Sequence, residues 1–227
     1  MQRDYILRLI EELGTFLKSV LEMRRRGQYQ QAERLIDDQL MRMVGFGMNV
    51  ADQFPAATLV GMVRLGNVEE RDQRIVAERL VVLGSLLQEG AEVDGDLGNE
   101  RRRDERRVKA LHVFLIALTE EPTTPRRALA SVDRLLEQLA EFDLPLDAKE
   151  RLWQHFQQEG QFARAEDWLY ELLDDDRAPD DVLARGLAFY QRLSALSDDV
   201  LEAGNLPRDE VLAGLTQLRA RAGGQGE

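Results

Sequence analysis

No cysteine occurs anywhere in the 227 residues, which excludes both a disulfide framework and a thiolate metal site. A reducing compartment suits such a chain, and a cytoplasmic location is the expectation. Histidine is almost as scarce. His112 and His155 alone offer imidazole chemistry; both fall in segments of helical periodicity, and neither has metal-ligand spacing. The serines, at Ser19, Ser85, Ser131, Ser194 and Ser197, include none in a nucleophile elbow or beside a histidine. Long apolar runs are missing as well. The longest, Val113 to Leu118, falls far short of the roughly 20 residues that span a bilayer, so no membrane association is expected. The opening Met1-Gln2-Arg3-Asp4-Tyr5 lacks the basic end and apolar block of an export signal. Period-two alternation over a strand's length is absent too, which predicts essentially no sheet.

Charge is abundant and lopsided. The formal net charge of -12 opposes non-specific binding to nucleic acid or anionic lipid, since both depend on neutralising phosphates with basic side chains. Arg101 to Lys109 runs against that trend, with six basic and two acidic residues, whereas Asp174 to Asp181 carries five aspartates and one arginine. Arg103, Arg106 and Arg107 can share one helix face, which suits an acidic protein segment or a phosphate. No aromatic is interleaved among them for stacking on a nucleic acid strand, and the bland alternative is a solvated helix face.

The organising stretch lies between Asp147 and Asp176. Leu152, Trp153 and Phe156 recur at helical spacing, Gly160-Gln161-Phe162 interrupts, and Ala165, Leu169, Leu172 and Leu173 resume the period. This is the pattern of two helices folded on each other, and Gly160-x-Phe162-x-x-Ala165-x-x-x-Leu169 resembles a tetratricopeptide unit. Gly27-Gln28-Tyr29, followed by Ala32, Leu35 and Ile36, repeats the chemistry after a first helix whose broad apolar face includes residues 5–21. Gly45-Phe46-Gly47 ends the second helix, and Pro55 opens another that closes near Gly66. A long helix through Leu80 to Leu87 is predicted to stop between Gly90 and Gly95, leaving Val93 to Asn99 as a loop. The next helix starts near Glu100 with an exposed arginine-rich half and ends buried. Thr124 and Pro125 signal the start of its successor.

The predicted fold is all-α: degenerate tetratricopeptide-like hairpins in an irregular solenoid or bundle of about ten helices. One domain over residues 1–222 is expected, with a possible subdivision into 1–66 and 67–222 and a disordered tail over 223–227. Asp94-Gly95-Asp96-Leu97-Gly98-Asn99 alternates acids like a calcium loop but misplaces the turn glycine, so a helix connection is the simpler reading.

Trp153, Phe156, Phe162, Trp168 and Tyr170 concentrate aromatic side chains in 18 residues. At helical spacing such residues build cores, and Phe156 and Phe162 fit that role. Trp153, Trp168 and Tyr170, with Tyr170 the most exposed, are the candidates for a peptide groove. Together with Arg103, Arg106 and Arg107 they form the set of candidate partner-binding residues. No catalytic, metal or cofactor residue is assigned, and no cofactor is expected.

The segments Asp4-Tyr5-Ile6-Leu7-Arg8-Leu9-Ile10-Glu11, Gly160 to Leu173 and Leu196 to Pro207 resemble a family of uncharacterised bacterial helical proteins over nearly the whole chain. The resemblance implies a domain of unknown function with tetratricopeptide-like character and supplies no reaction, ligand or catalytic residue. The functional expectation is a non-catalytic module that binds a protein or peptide, with homo-oligomerisation through residues 5–21 as a variant and no nucleic acid or membrane partner. The alternative is a helical enzyme or small-anion sensor whose site is assembled from distant helices around His112, His155 and the arginines from Arg101 to Arg107.

Overall fold

The computed structural model describes residues 2–66 and 73–224, with side chains described for 11–66 and 73–223. Among these residues there are twelve helices and no strand: α1 (Gln2–Arg25), α2 (Tyr29–Met43), α3 (Met48–Gln53), α4 (Ala56–Leu65), α5 (Gln73–Asp96), α6 (Glu100–Glu120), α7 (Arg127–Gln138), α8 (Leu146–Gln158), α9 (Phe162–Leu173), α10 (Val182–Ser194), α11 (Asp198–Ala203) and α12 (Arg208–Gly224). The chain divides into two compact units, residues 1–142 and 143–227. The subdivision expected near residue 67 lies at 67–72, outside the described residues, as does the tail beyond 224. Gly223 and Gly224, expected in that tail, belong to α12. No described helix is long and apolar enough to cross a membrane.

In the first unit α5 packs against α1, α2, α4 and α6, and its buried residues occupy almost its whole circumference. Such a helix must be apolar all round or neutralise what it buries. The pair α5–α6 is the most extensive contact of the unit. Its close approach depends on small residues: a Cβ at Gly84 would stand 2.7 Å from the ring of Phe114, which is fully buried. Leu83, Leu86 and Leu87 on α5 and Leu111, Val113 and Leu115 on α6 fill the surrounding core.

Here the structure departs from the sequence reading. Val93 to Asp96, expected as loop, continue α5, because Val93 and Asp94 are buried against neighbouring elements rather than released to solvent. Thr124, expected to cap the following helix, donates its hydroxyl hydrogen to Ala117 O at 2.7 Å or Glu121 O at 2.8 Å, and so closes α6. Helix α7 begins later, at Arg127. The short helix α3 was not anticipated. Its first N–H, on Met48, donates to Asp37 Oδ1 at 2.6 Å, a cap delivered from α2 rather than from the preceding residue.

Both hairpins expected around Gly27 and Gly160 form. Each glycine has positive φ, +70° and +69°, a region that costs other residues a Cβ clash. The hydrogen bonds match as well: Gln28 N–H donates to Met23 O and Gln161 N–H to Phe156 O, each at 2.9 Å, the pattern of a Schellman turn. Ala32 and Ala165, one helical turn further on, are fully buried. In the second unit α8 packs on α9 and α10 on α12. The two pairs meet through α9 and α10, and the end of α11 is fastened to α9 where Ala163 N–H donates to Gly204 O at 3.1 Å and Phe162 closes over Gly204, where a Cβ has no room.

Gly84→Ala, which inserts a methyl group against the ring of Phe114, is expected to cost about 1–3 kcal/mol of stability. Urea unfolding checks this, and an unchanged midpoint would mean that α5 and α6 separate without penalty.

Candidate functional site

The charged half of α6 does not face solvent throughout, because one of its arginines is inside the protein. Arg106 is only 2% exposed. Its Nε and Nη2 donate to Asp52 Oδ1 and Oδ2 at 2.9 and 2.7 Å, a two-pronged pair with α3. Its Nη1 lies 2.7 Å from Asp94 Oδ2 on α5 and donates to Gly90 O at 3.3 Å. Gly90 makes this possible, since a Cβ there would stand 3.3 Å from Arg106 Nη1 and 2.8 Å from Met48 Cε.

Asp94 is 1% exposed, and its two oxygens accept no aligned hydrogen bond from the described residues. Arg106 therefore meets it as an ion rather than as a hydrogen-bond donor. Burial holds the Asp94 carboxyl above the ordinary carboxylate value, and Arg106 and Arg102 offset this only in part. Asp52 moves the other way. Burial works to raise it, but the hydrogen bonds and charge of Arg106, reinforced by Arg102 and Lys109, bring it below the usual range. Lys109 donates to Ala51 O and, at 2.9 Å, to Asp52 O, two carbonyls in the last turn of α3. Burial lowers its ammonium below the ordinary lysine value.

Two clefts open on this framework. The larger, of about 680 Å³, is lined by the α6 residues Arg101, Arg102, Glu105, Arg106 and Lys109 together with Asp52 and the turn at Gly98 and Asn99. The smaller, of about 440 Å³, is bounded by Glu33, Asp37 and Asp38 of α2, Asn49 of α3 and the same Asp52 and Arg102. Arg102 Nη2 donates to Asp52 Oδ2 at 3.3 Å and to Glu33 Oε1 at 3.4 Å, so one half-exposed arginine borders both spaces.

The arginines singled out in sequence thus have separate surroundings. Arg106 is the buried centre of the framework. Arg107 donates to Glu92 at 2.9 Å, and Arg103 donates to Asp104 at 2.8 Å. Sequence reasoning took Arg102 only with the arginines of the small-anion alternative, and it passed over Lys109 and Asp52. A signal grouping Lys109 with the arginines was present, because Arg102, Arg106 and Lys109 lie at i, i+4 and i+7, one stripe of a helix. Asp52 gave no such signal, being a lone acid in a helix that was itself missed.

The aromatic candidates lie in the second unit. Trp153 is 3% exposed, edge-on to Phe189 with ring centroids 6.3 Å apart and with the Arg185 guanidinium 5.0 Å from its ring. Its indole N–H has no hydrogen-bond partner among the described residues. Trp168 and Tyr170 are half-buried on α9, two positions apart and so on different faces of the helix. Tyr170 borders the buried Tyr190, whose hydroxyl donates to Glu166. His112 and His155 are buried within their helices, and no group of three or more potential metal ligands occurs among the described residues.

Fold and site together define an all-helical protein with a charged face assembled from ion pairs between helices. The chain belongs to the family of unknown function DUF6483, which matches residues 1–223. No curated protein and no solved structure shows a significant match.

Arg106→Met leaves Asp94 and Asp52 facing each other without the shared cation and is expected to cost about 3–5 kcal/mol in urea unfolding at pH 7. Asp94→Asn should do the reverse. A carboxyl raised in the fold stabilises below its unfolded value, and that contribution is lost as pH rises through the folded value. The ionised form therefore costs stability at pH 7, and the neutral amide avoids the cost. The variant's higher midpoint should shrink toward wild type as pH falls below about 4, where Asp94 protonates even when unfolded. A lower midpoint at pH 7 would show that attraction to Arg106 outweighs burial.

Proposed function

We propose that this protein is a non-catalytic interaction module that recognises a protein or peptide partner, with its helical hairpins acting as tetratricopeptide-like scaffolding. The observation that carries this reading is the pair of adjoining open clefts across α2, α3 and α6, whose rims present charged side chains on rigid helices. Open, polar and fixed in shape, such a surface suits a segment of another chain better than an enclosed reaction.

A small-anion sensor is the second reading, drawn from the cations of the larger cleft. Each of these is already engaged: Arg101 by Glu105, Arg102 and Arg106 by Asp52, Lys109 by the carbonyls of α3. A lone anion would have to compete with those partners and would leave an acid unpaired. Self-association through residues 5–21 would make the partner a second copy of the chain. Leu13, Phe16 and Val20 of that face are buried within the unit, which leaves less apolar surface to a second copy.

Asn49 is exposed at the smaller cleft, and a photo-crosslinking residue there tests the interaction reading in the cells that make the protein. A discrete adduct with another polypeptide, weakened when Arg101→Glu is added, is expected. Diffuse background, identical to that from a crosslinker at the exposed Gln191 of the second unit, would overturn it.

A further inference from the structure

The two clefts differ in electrical character, and the difference is organised in space. Set aside the buried Arg106 and its partner Asp52. The larger cleft then keeps Arg101, Arg102 and Lys109 against Glu100 and Glu105, whereas the smaller keeps Glu33, Asp37 and Asp38 against Arg34 and the shared Arg102. One end is net positive and the other net negative, with the Arg102–Asp52 contact at the junction.

We infer that this groove binds a peptide segment carrying charges of both signs in separate blocks, its basic block over Glu33 and Asp38 and its acidic block over Arg101 and Lys109. The inference rests on the interaction reading above and adds the chemistry of the partner.

Three features support this occupant over a segment of one sign. An acidic segment alone meets Glu33, Asp37 and Asp38 at one end of the groove, and a basic one meets Arg101 and Lys109 at the other; like charges brought together at an interface are costly. A segment carrying both exchanges partners instead of stripping them. Glu105 and Arg101, for example, are 2.9 Å apart but 55% and 91% exposed, so their pair is held weakly and opens readily to a competitor. Arg102 is the second feature. Its guanidinium, 45% exposed, donates long hydrogen bonds to Asp52 at 3.3 Å and Glu33 at 3.4 Å and lies 3.9 Å from Asp94, so it can turn toward an incoming acid while Asp94 beneath compensates its charge. Third, the two spaces, at about 680 and 440 Å³, are each large enough for several side chains.

The test is binding of labelled synthetic peptides to the full chain by fluorescence anisotropy at low ionic strength. The probes are a short peptide with lysines at one end and glutamates at the other, an all-lysine and an all-glutamate peptide of equal length, and the wild-type, Arg101→Glu and Asp38→Lys proteins. Both substituted side chains are exposed, and circular dichroism confirms that the variants are folded. The two-block peptide should bind wild type at least about fivefold more tightly than either single-sign peptide. Each charge reversal should weaken it about fivefold, consistent with loss and reversal of an exposed ion pair. Binding should also fall steeply as salt shortens the screening length.

Equal or tighter binding of the all-glutamate or all-lysine peptide would overturn the inference while leaving an interaction module intact, because a partner of one sign would then be recognised. Binding of the two-block peptide that neither reversal changes would overturn it as well, by placing the contact elsewhere. No binding by any peptide, together with a discrete adduct at Asn49, would reject the charge pattern alone. The same silence with no adduct would reject both readings.

Discussion

A guanidinium taken out of water must be answered by charge, and in the first unit that requirement sets what surrounds it. Arg106 is answered from two sides, by Asp52 on α3 and Asp94 on α5, and neither acid belongs to its own helix. The short helix α3 is consequently held by polar contacts at both ends, through Asp37 at Met48 and through Lys109 and Arg106 at its close. Beneath it Met48 and Ala51 are buried, so the ion pairs position an element that also closes the core. Apolar burial alone leaves a six-residue helix free to slide, whereas a two-pronged arginine pair fixes its register.

Glu92 extends the same logic along α5. It accepts from Arg107 of α6 at 2.9 Å and from Gln138 of α7 at 3.1 Å, while Arg24 of α1 reaches it at 3.4 Å. Burial works to raise its carboxyl, but these cations bring it below the ordinary value, the opposite outcome to Asp94. The contrast is physical. Glu92, only partly buried, receives aligned donors, and the fully buried Asp94 receives charge without them, so the first carboxylate is stabilised in its ionised form and the second is not. The central helix thus carries one satisfied and one strained acid, and the strained one lies next to the charged clefts.

Much of this architecture was legible from local signals. Gly27 and Gly160 announced their turns because each glycine interrupts an apolar helical period that resumes just beyond it, as a left-handed turn between two helices requires. Ala32 and Ala165 announced close helix packing. What escaped detection depended on partners distant in sequence. The continuation of α5 through Asp96 is decided by α6 lying across it, and the start of α7 by a threonine that serves the preceding helix instead. Arg106 read as a surface cation because its two acids, Asp52 and Asp94, lie on other helices, beyond the reach of any periodicity. The candidate site was half visible for the same reason: the Arg102–Arg106–Lys109 stripe is a property of one helix, but the groove requires α2 and α3 beside it.

Trp153 shows the limit from the other direction. Aromatic clustering suggested a groove, yet the indole is enclosed by Phe189 and Arg185, and its N–H finds no acceptor among the described residues. A buried donor without a partner costs free energy, which the burial of a large ring more than offsets. Its role in the second unit is therefore packing between α8 and α10, where Arg185 also pairs with Glu150 at 2.9 Å. On the proposed interaction reading, recognition falls to surfaces where side chains keep exchangeable partners. On the first unit those are the exposed pairs around Arg101 and Arg102, because a contact that is weak within the protein is one that a partner can replace.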